Sequence, residues 1–394
     1  MPYAVVACAV LFLWVISLRT YLATVLPTIA ADLDLSVGLA GALISVLALG
    51  YCLAVWGVGF LPGSRKRRVL LGALFSLACA VAIALAPGPA AIFAAFLATG
   101  LGLGCYLPLG LAIIVEVSPP GRQARNMTLH ELMATAGFVS GSGYVALALP
   151  ALTWRQATLV WLLVGVVGCI AFALLRDAPQ AARPRHAGEG TLRLNGTLLA
   201  CVAVLAIAQL LVSGLGAVLP LIMVEVWRVG QGETAVVLGA ARLAGPIGIA
   251  VAGLYGDRLG PANLTRVFFL LALACMAGLT LLAYGPALIA TIFAMNVAAS
   301  GGIMLASLAV AQVYRGPGRE RALSVTSGVS GLLGMVAAPA LFGYIVEQGL
   351  GQAPFVLMAI GLALASLLLG ILARQSGTTA VPPVSGAAPA SRRG

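Results

Sequence analysis

The chain has 394 residues, of which 61% are hydrophobic and only 8% charged, and its mean hydropathy is +1.09. That balance excludes a soluble globular domain and implies an all-α polytopic membrane protein. The formal net charge of +11 does not mark a nucleic-acid partner, because the basic residues gather in short loops beside apolar runs, where they report topology.

The first apolar run extends from Tyr3 to about Pro27. It is long for a cleaved leader, begins almost without positive charge and is followed at once by further runs, so it is expected to remain in the mature chain. Arg19 lies inside it, roughly 24 Å along a helix that rises ~1.5 Å per residue. A guanidinium facing lipid at that depth costs at least ~2.5 kcal/mol, so Arg19 is expected to face a polar cavity or a partner.

Further runs follow at 37–60, 69–86, 90–115, 128–149 and 156–175, then at 197–224, 234–255, 266–284, 287–312, 323–346 and 354–373. Twelve spans result, in two pseudo-symmetric sets of six. Continuous apolar runs of helical length, without alternation, exclude a closed β-barrel. With the N-terminus in the cytoplasm, all but four of the 22 Lys and Arg residues fall on the inner side; the exceptions are Arg155 and Arg228 outside and Arg19 and Arg242 within the membrane. This asymmetry puts both termini in the cytoplasm of a bacterial inner-membrane protein.

The organisation expected is a six-helix bundle over 1–175, a polar cytoplasmic linker over 176–196, a second bundle over 197–373 and a disordered tail over 374–394. The halves share landmarks. Gly57 and Gly253 both end a second span, Arg125 and Arg321 both precede a fifth, and Val25-Leu26-Pro27 is answered by Val218-Leu219-Pro220. A repeat of this kind normally encloses the substrate path between its copies. The seven cysteines stand singly in apolar runs and read as packing residues, and no cofactor or metal is expected.

The second-half stretch Gly253-Leu254-Tyr255-Gly256-Asp257-Arg258-Leu259-Gly260 resembles the loop motif of the major facilitator superfamily. Its first-half counterpart keeps Gly57 and the basic cluster around Arg65 and Arg67, but has Leu61 and Pro62 where the motif has an aspartate and an arginine. Leu26-Pro27 before Asp32 to Ser36, Trp154-Arg155 before the sixth span, and Gly100, Gly102 and Gly104 ahead of Pro108 are also similar to that family. Two marks of its proton-coupled drug exporters are missing: Phe96 stands at the helix-four arginine, and helix five lacks the Gly-Pro pair. The resemblance covers 3–373 and implies transport by rocking of two bundles, with Gly253, Asp257, Arg258, Arg65 and Arg67 as gating candidates.

Substrate recognition is expected from Arg19 and Arg242, since a guanidinium fork matches a carboxylate better than an ammonium does. The run Ala241-Arg242-Leu243-Ala244-Gly245-Pro246 resembles monocarboxylate and oxalate members, and an arginine in helix one resembles organic anion members. Tyr21, Tyr51, Tyr144, Gln209, Asn296 and Ser300 are candidates to complete the pocket, with the amides of Gln209 and Asn296 either lining it or tying two helices together. Glu131, about four residues into the fifth span, is the proton-coupling candidate, while His130 reads as an interfacial residue. The expected function is secondary transport of a small organic anion, working as a monomer in the bilayer with a coupling proton. The alternatives are a proton-coupled exporter of drugs or amphipathic metabolites and a scaffold or sensor that moves no solute. No catalytic cluster or phosphate-binding loop is present, so the chain is not read as an enzyme.

Overall fold

The computed structural model describes residues 3–35, 37–175, 195–314 and 317–378. The expected linker and tail lie for the most part outside these residues. The first half comprises α1 (Tyr3–Asp32), α2 (Val37–Gly57), α3 (Arg65–Leu85), α4 (Pro89–Gly104), α5 (Leu107–Val117), α6 (Gln123–Ala148) and α7 (Trp154–Ala173). The second comprises α8 (Gly196–Gln209), α9 (Gly216–Glu225), α10 (Gln231–Arg242), α11 (Gly245–Leu259), α12 (Pro261–Leu281), α13 (Pro286–Val313), α14 (Pro317–Gly331), α15 (Ala338–Glu347) and α16 (Ala353–Thr378). Among the described residues there is no strand, as expected of an all-α membrane protein.

Several expected spans are two helices end to end. The α4–α5 join falls at Cys105-Tyr106 just ahead of Pro108, and the α10–α11 join at Leu243-Ala244 just ahead of Pro246. A proline there withdraws a backbone donor and relaxes the ladder before it. In the α8–α9 and α14–α15 spans the join is a π-helical turn, Leu210–Leu215 and Leu332–Ala337, the form in which a membrane helix bends without losing its backbone bonds.

Eleven helices or helix pairs are long and apolar enough to cross a membrane. The twelfth expected span corresponds to α6, whose 26 residues suffice in length but include Arg125, Asn126, His130, Glu131 and several serines. Asn126, 6% exposed, and His130, fully buried, are carried inward, while Arg125 in the first turn is exposed. The helix is long enough to span and is held by protein rather than by lipid.

Small residues set the distance between helices, as membrane packing requires. A Cβ at Gly50 or Gly100 would collide with backbone across the α2–α4 contact, and one at Gly248 or Gly301 would do so across α11–α13. The two contacts occupy equivalent places in the two halves. At one end of the molecule, Arg155 Nη1 donates to Ala84 O at 3.0 Å and Ala86 O at 2.9 Å while its Nη2 and Trp154 Nε1 both reach Asp32 Oδ2. This clasp fastens the ends of α1, α3 and α7, and α7 is started by a capping box between Thr153 and Gln156.

The halves meet along two seams. In one, α2 lies on α14: the bare Cα of Gly59 admits Ser324, that of Gly328 admits Trp56, and Gly331 touches Cys52. In the other, α11 lies on α6: Gly253 admits Thr128 and Gly256 admits Ala124. Beyond Cys52 the π turn bends the α14–α15 span, and beyond Gly245 the α11 seam stops at the join to α10. The remaining elements α9, α10 and α15 make their substantial contacts with their own half, as does α1. The two halves are therefore zipped together at the end bearing the loop motifs and diverge toward the other.

Candidate functional site

At the zipped end, two charged locks bridge the halves. The first grows from helix chemistry. The opening amides of α6 have no intrahelical acceptor, and Arg122, its N-cap, offers no side-chain oxygen. The missing acceptor comes from the other half: Asp257, near the end of α11, receives Ala124 N at 2.9 Å and Arg125 N at 3.2 Å on its two carboxylate oxygens. A carboxylate against a helix amino terminus also meets the positive end of the helix dipole. Beside it, Gln312 donates to Gln123 Oε1 at 2.6 Å across the same boundary.

The second lock answers the departure of the first-half loop. With Leu61 in the aspartate position, that loop cannot cap α14. Instead Glu320, in the first turn of α14, takes both Arg65 and Arg68 from the start of α3. Arg65 extends to Glu116 at the end of α5, and Arg68 Nη1 donates to Val58 O at 2.8 Å. The acid has thus changed sides, and the basic cluster reaches across to it. Arg68 and Glu320 are each 9% exposed, so this is a buried network rather than a surface pair.

Of the gating candidates, Asp257 and Arg65 stand in these locks, and Gly253 packs on Thr128 in the adjoining α6–α11 seam. Arg67 and Arg258 do not: both are exposed, and it is Arg68, one place along, that enters the network. Sequence reasoning passed over Arg68 and Glu320, although a lone acidic residue in the first turn opposite an RKRR cluster was the available signal. Replacing Asp257 by Asn leaves one oxygen for two amides, and loss of a charged acceptor is worth about 1.5–3 kcal/mol. Crosslinking of the zipped end in Asp257→Asn should fall about tenfold or more relative to the parent. Undiminished crosslinking would remove Asp257 from the lock.

Above the locks, the guanidinium of Arg19 lies over the Tyr51 ring, 4.5 Å from its centroid. Tyr51 is 5% exposed and adjoins Cys52, which meets Gly331 in the α2–α14 seam. Arg242 closes α10, is exposed, and among the described residues has neither ion-pair nor hydrogen-bond partner. Each arginine therefore stands near the level where one seam ends. Ser300 approaches Gly245, the first residue of α11, from α13.

The other candidates point elsewhere. Tyr21 is buried and its hydroxyl is shared with Trp154 O at 3.1 Å and Thr158 Oγ1 at 2.8 Å. Tyr144 donates to Ala157 O at 3.0 Å and stacks on Trp161 with centroids 4.4 Å apart. These two tyrosines form an aromatic cluster holding α1, α6 and α7 inside the first half. Gln209 donates to Ser213 at 2.7 Å and Asn296 to Ile292 O at 3.0 Å, so each amide is satisfied on its own span. Neither is used to tie two helices. Glu131 Oε1 sits 3.0 Å from His130 Nδ1, and His130 is not interfacial but fully enclosed.

The family model described as Major Facilitator Superfamily matches residues 5–312. The chain is 24% identical over 376 residues to the inner membrane transport protein YdhP of Escherichia coli strain K12, covering 90% of this chain and 92% of that protein. It is 27% identical over 373 residues to the 3-(3-hydroxy-phenyl)propionate transporter of the same strain, covering 82% and 85%. Among solved structures, the transporter FucP in its outward conformation superposes with a TM-score of 0.78 at 14% identity, over 94% of this chain and 98% of that one. With a model matched over most of its length, and the helices and bridging loops described above, the chain belongs to the Major Facilitator Superfamily and is a multi-pass membrane transporter of small molecules, not an enzyme.

Proposed function

We propose that the protein is a secondary transporter of a small organic anion, most fittingly an aromatic or aliphatic carboxylate, in a bacterial cytoplasmic membrane. The observation that carries this is the position of two arginines near the level where the two inter-half seams end, with Arg242 free of any protein anion. A carboxylate arriving between the halves would find there a guanidinium from each of them. The α10–α11 join adds to it: the amino end of α11 opens beside Arg242, and broken spans commonly turn such an end toward an anionic group. That one relative is named for a phenylpropionate agrees with this chemistry. Binding that draws Arg19 and Arg242 toward one ligand would favour closure of the open end, which is how occupancy is converted to rocking.

In this reading the halves are the bundles 1–175 and 197–373, both termini are cytoplasmic, one chain suffices for the pathway, and Glu131 provides proton coupling. The test uses 3-(3-hydroxyphenyl)propionate and its primary amide, two ligands of one shape and different charge, against purified protein in detergent. At ~100 times its dissociation constant the carboxylate should stabilise the fold by about 2.7 kcal/mol and raise its melting temperature, while the amide should not. Equal stabilisation by the two, or stabilisation only by neutral and cationic amphiphiles across a wider panel, would refute the anion reading.

A further inference from the structure

His130 is fully buried, and its Nε2 is without a hydrogen-bond partner among the described residues. The ring is stacked on Phe12 of α1, centroids 4.0 Å apart and planes 9° from parallel, and faces Tyr106 at 5.8 Å. Tyr106 cannot serve Nε2 as a donor, since its hydroxyl is given to Cys8 O at 2.6 Å. α1 comes this close because Gly137 and Gly141 present no side chain to it. A native fold seldom keeps a buried ring nitrogen idle, and where it does the group commonly has another use.

The other nitrogen, Nδ1, lies 3.0 Å from Glu131 Oε1, and the Glu131 side chain remains 19% exposed. The arrangement suits one proton. A neutral imidazole donating Nδ1–H to the carboxylate leaves only a lone pair at Nε2, whereas a lasting imidazolium would hold Nε2–H in a dry aromatic slot with nothing to accept it. Tyr51 from α2 and Tyr106 ahead of α5 lie within electrostatic reach of Glu131, Cys8 of α1 adjoins Tyr106, Arg19 of α1 lies over Tyr51, and Asp257 from α11 meets the amino end of α6 at Ala124 and Arg125. Glu116 at the far end of α5 is engaged by Arg65, and α13 contains no titratable residue. Tyr51 is the link between the two sites: it lies beneath Arg19 and within electrostatic reach of Glu131.

We propose that His130 and Glu131 hold the coupling proton of transport as a pair, Glu131 exchanging it with water and His130 sharing it through Nδ1, and that an anion at Arg19 promotes its uptake. The inference rests on the anion reading above and adds His130 and the direction of coupling to it. Loading adds one proton, taken from water on the open side, to a neutral imidazole and a carboxylate, and unloading returns it to water on the other; no electrons move. With Arg19 unliganded, its positive charge opposes loading. A bound carboxylate cancels that charge, so anion and proton each favour the other's binding by the same factor.

The chain has two histidines, His130 and His186, so nitrogen-15 NMR of histidine-labelled His186→Gln protein in nanodiscs observes His130 alone. The expected result is a neutral imidazole in the Nδ1–H tautomer, bonded to the Glu131 carboxylate, whose nitrogen-15 shifts move when 3-(3-hydroxyphenyl)propionate is added. The isosteric Glu131→Gln should lose both the tautomer preference and the response to the probe. In proteoliposomes the same variant should lose accumulation driven by a pH gradient while retaining counterflow exchange of the probe, which a merely structural fault would also abolish. A ring in the Nε2–H tautomer, or one alike in parent and Glu131→Gln, overturns the proposal whether or not any probe binds. An Nδ1–H tautomer that depends on Glu131, in protein that binds no anion, supports the proton site and sinks the anion reading alone.

Discussion

Glu320→Gln is expected to open the loop-motif end of the transporter in a large part of the population. Gln keeps the shape of the side chain but leaves Arg68, 9% exposed, and the partly buried Arg65 facing no carboxylate from the other half. Removing one partner of a buried ion pair costs about 3–5 kcal/mol, because the remaining charge stays desolvated. Separating the halves lets water reach both arginines, so most of that cost falls on the zipped state alone. At ~1.4 kcal/mol per factor of ten, the equilibrium between zipped and separated ends should move by about two to three orders of magnitude. Spin labels at Pro62 and Gly318, one in each half, would read this as a longer distance population absent from the parent. Glu225→Gln is the control, since its partner Arg228 is 3.9 Å away and both are well exposed; exposed pairs of that kind contribute ~0–1 kcal/mol. An unchanged distance distribution in Glu320→Gln would mean that the Asp257 lock alone holds the halves together.

How much of this was legible beforehand follows from the range over which each interaction acts. Spans announce themselves locally, because burial in lipid demands a continuous apolar run, and the boundaries of α3, α7 and α8 are marked by caps at Ser64, Thr153 and Asn195. The breaks at Cys105-Tyr106 and Leu243-Ala244 were foreshadowed by Pro108 and Pro246, and the π turns are followed by Pro220 and Pro339. Arg19 and Arg242 stood out because a charge inside an apolar run is itself anomalous. Their surroundings did not, since the meeting of Arg19 with Tyr51 depends on how α1 and α2 are rotated about their axes. The same holds for His130: its place near the start of a span looked interfacial, and only the close approach of α1 across Gly137 and Gly141 encloses it. For the locks, the motif pointed to Asp257, while the loss of its first-half aspartate hid a replacement that lies on the opposite partner. A motif records one way of bridging two helices, and Glu320 supplies the same bridge from the other side.

Arg242→Ala should separate binding from folding more sharply than any other single change. Arg242 is exposed and has no protein partner among the described residues, so its removal gives up no packing or ion pair. Stability of the unliganded protein should stay within ~0.5 kcal/mol of the parent, as for other exposed positions. If the proposed anion site is correct, affinity for 3-(3-hydroxyphenyl)propionate should instead fall by about 10- to 150-fold, the equivalent of ~1.5–3 kcal/mol for charged hydrogen bonds. Arg242→Lys should recover part of this, because an ammonium keeps the charge but not the planar fork. Arg19→Ala should give a different pattern. Its guanidinium already covers Tyr51 at 4.5 Å, an interaction of ~0.5–2 kcal/mol, so that variant should lose stability as well as affinity. Calorimetric titration beside thermal unfolding distinguishes the two. Carboxylate affinity unchanged in Arg242→Ala would exclude that residue as a ligand, and a large loss of stability there would assign it a structural partner instead. The contrast arises because Arg19 rests on the Tyr51 ring as well as facing the substrate, whereas Arg242 has no partner among the described residues.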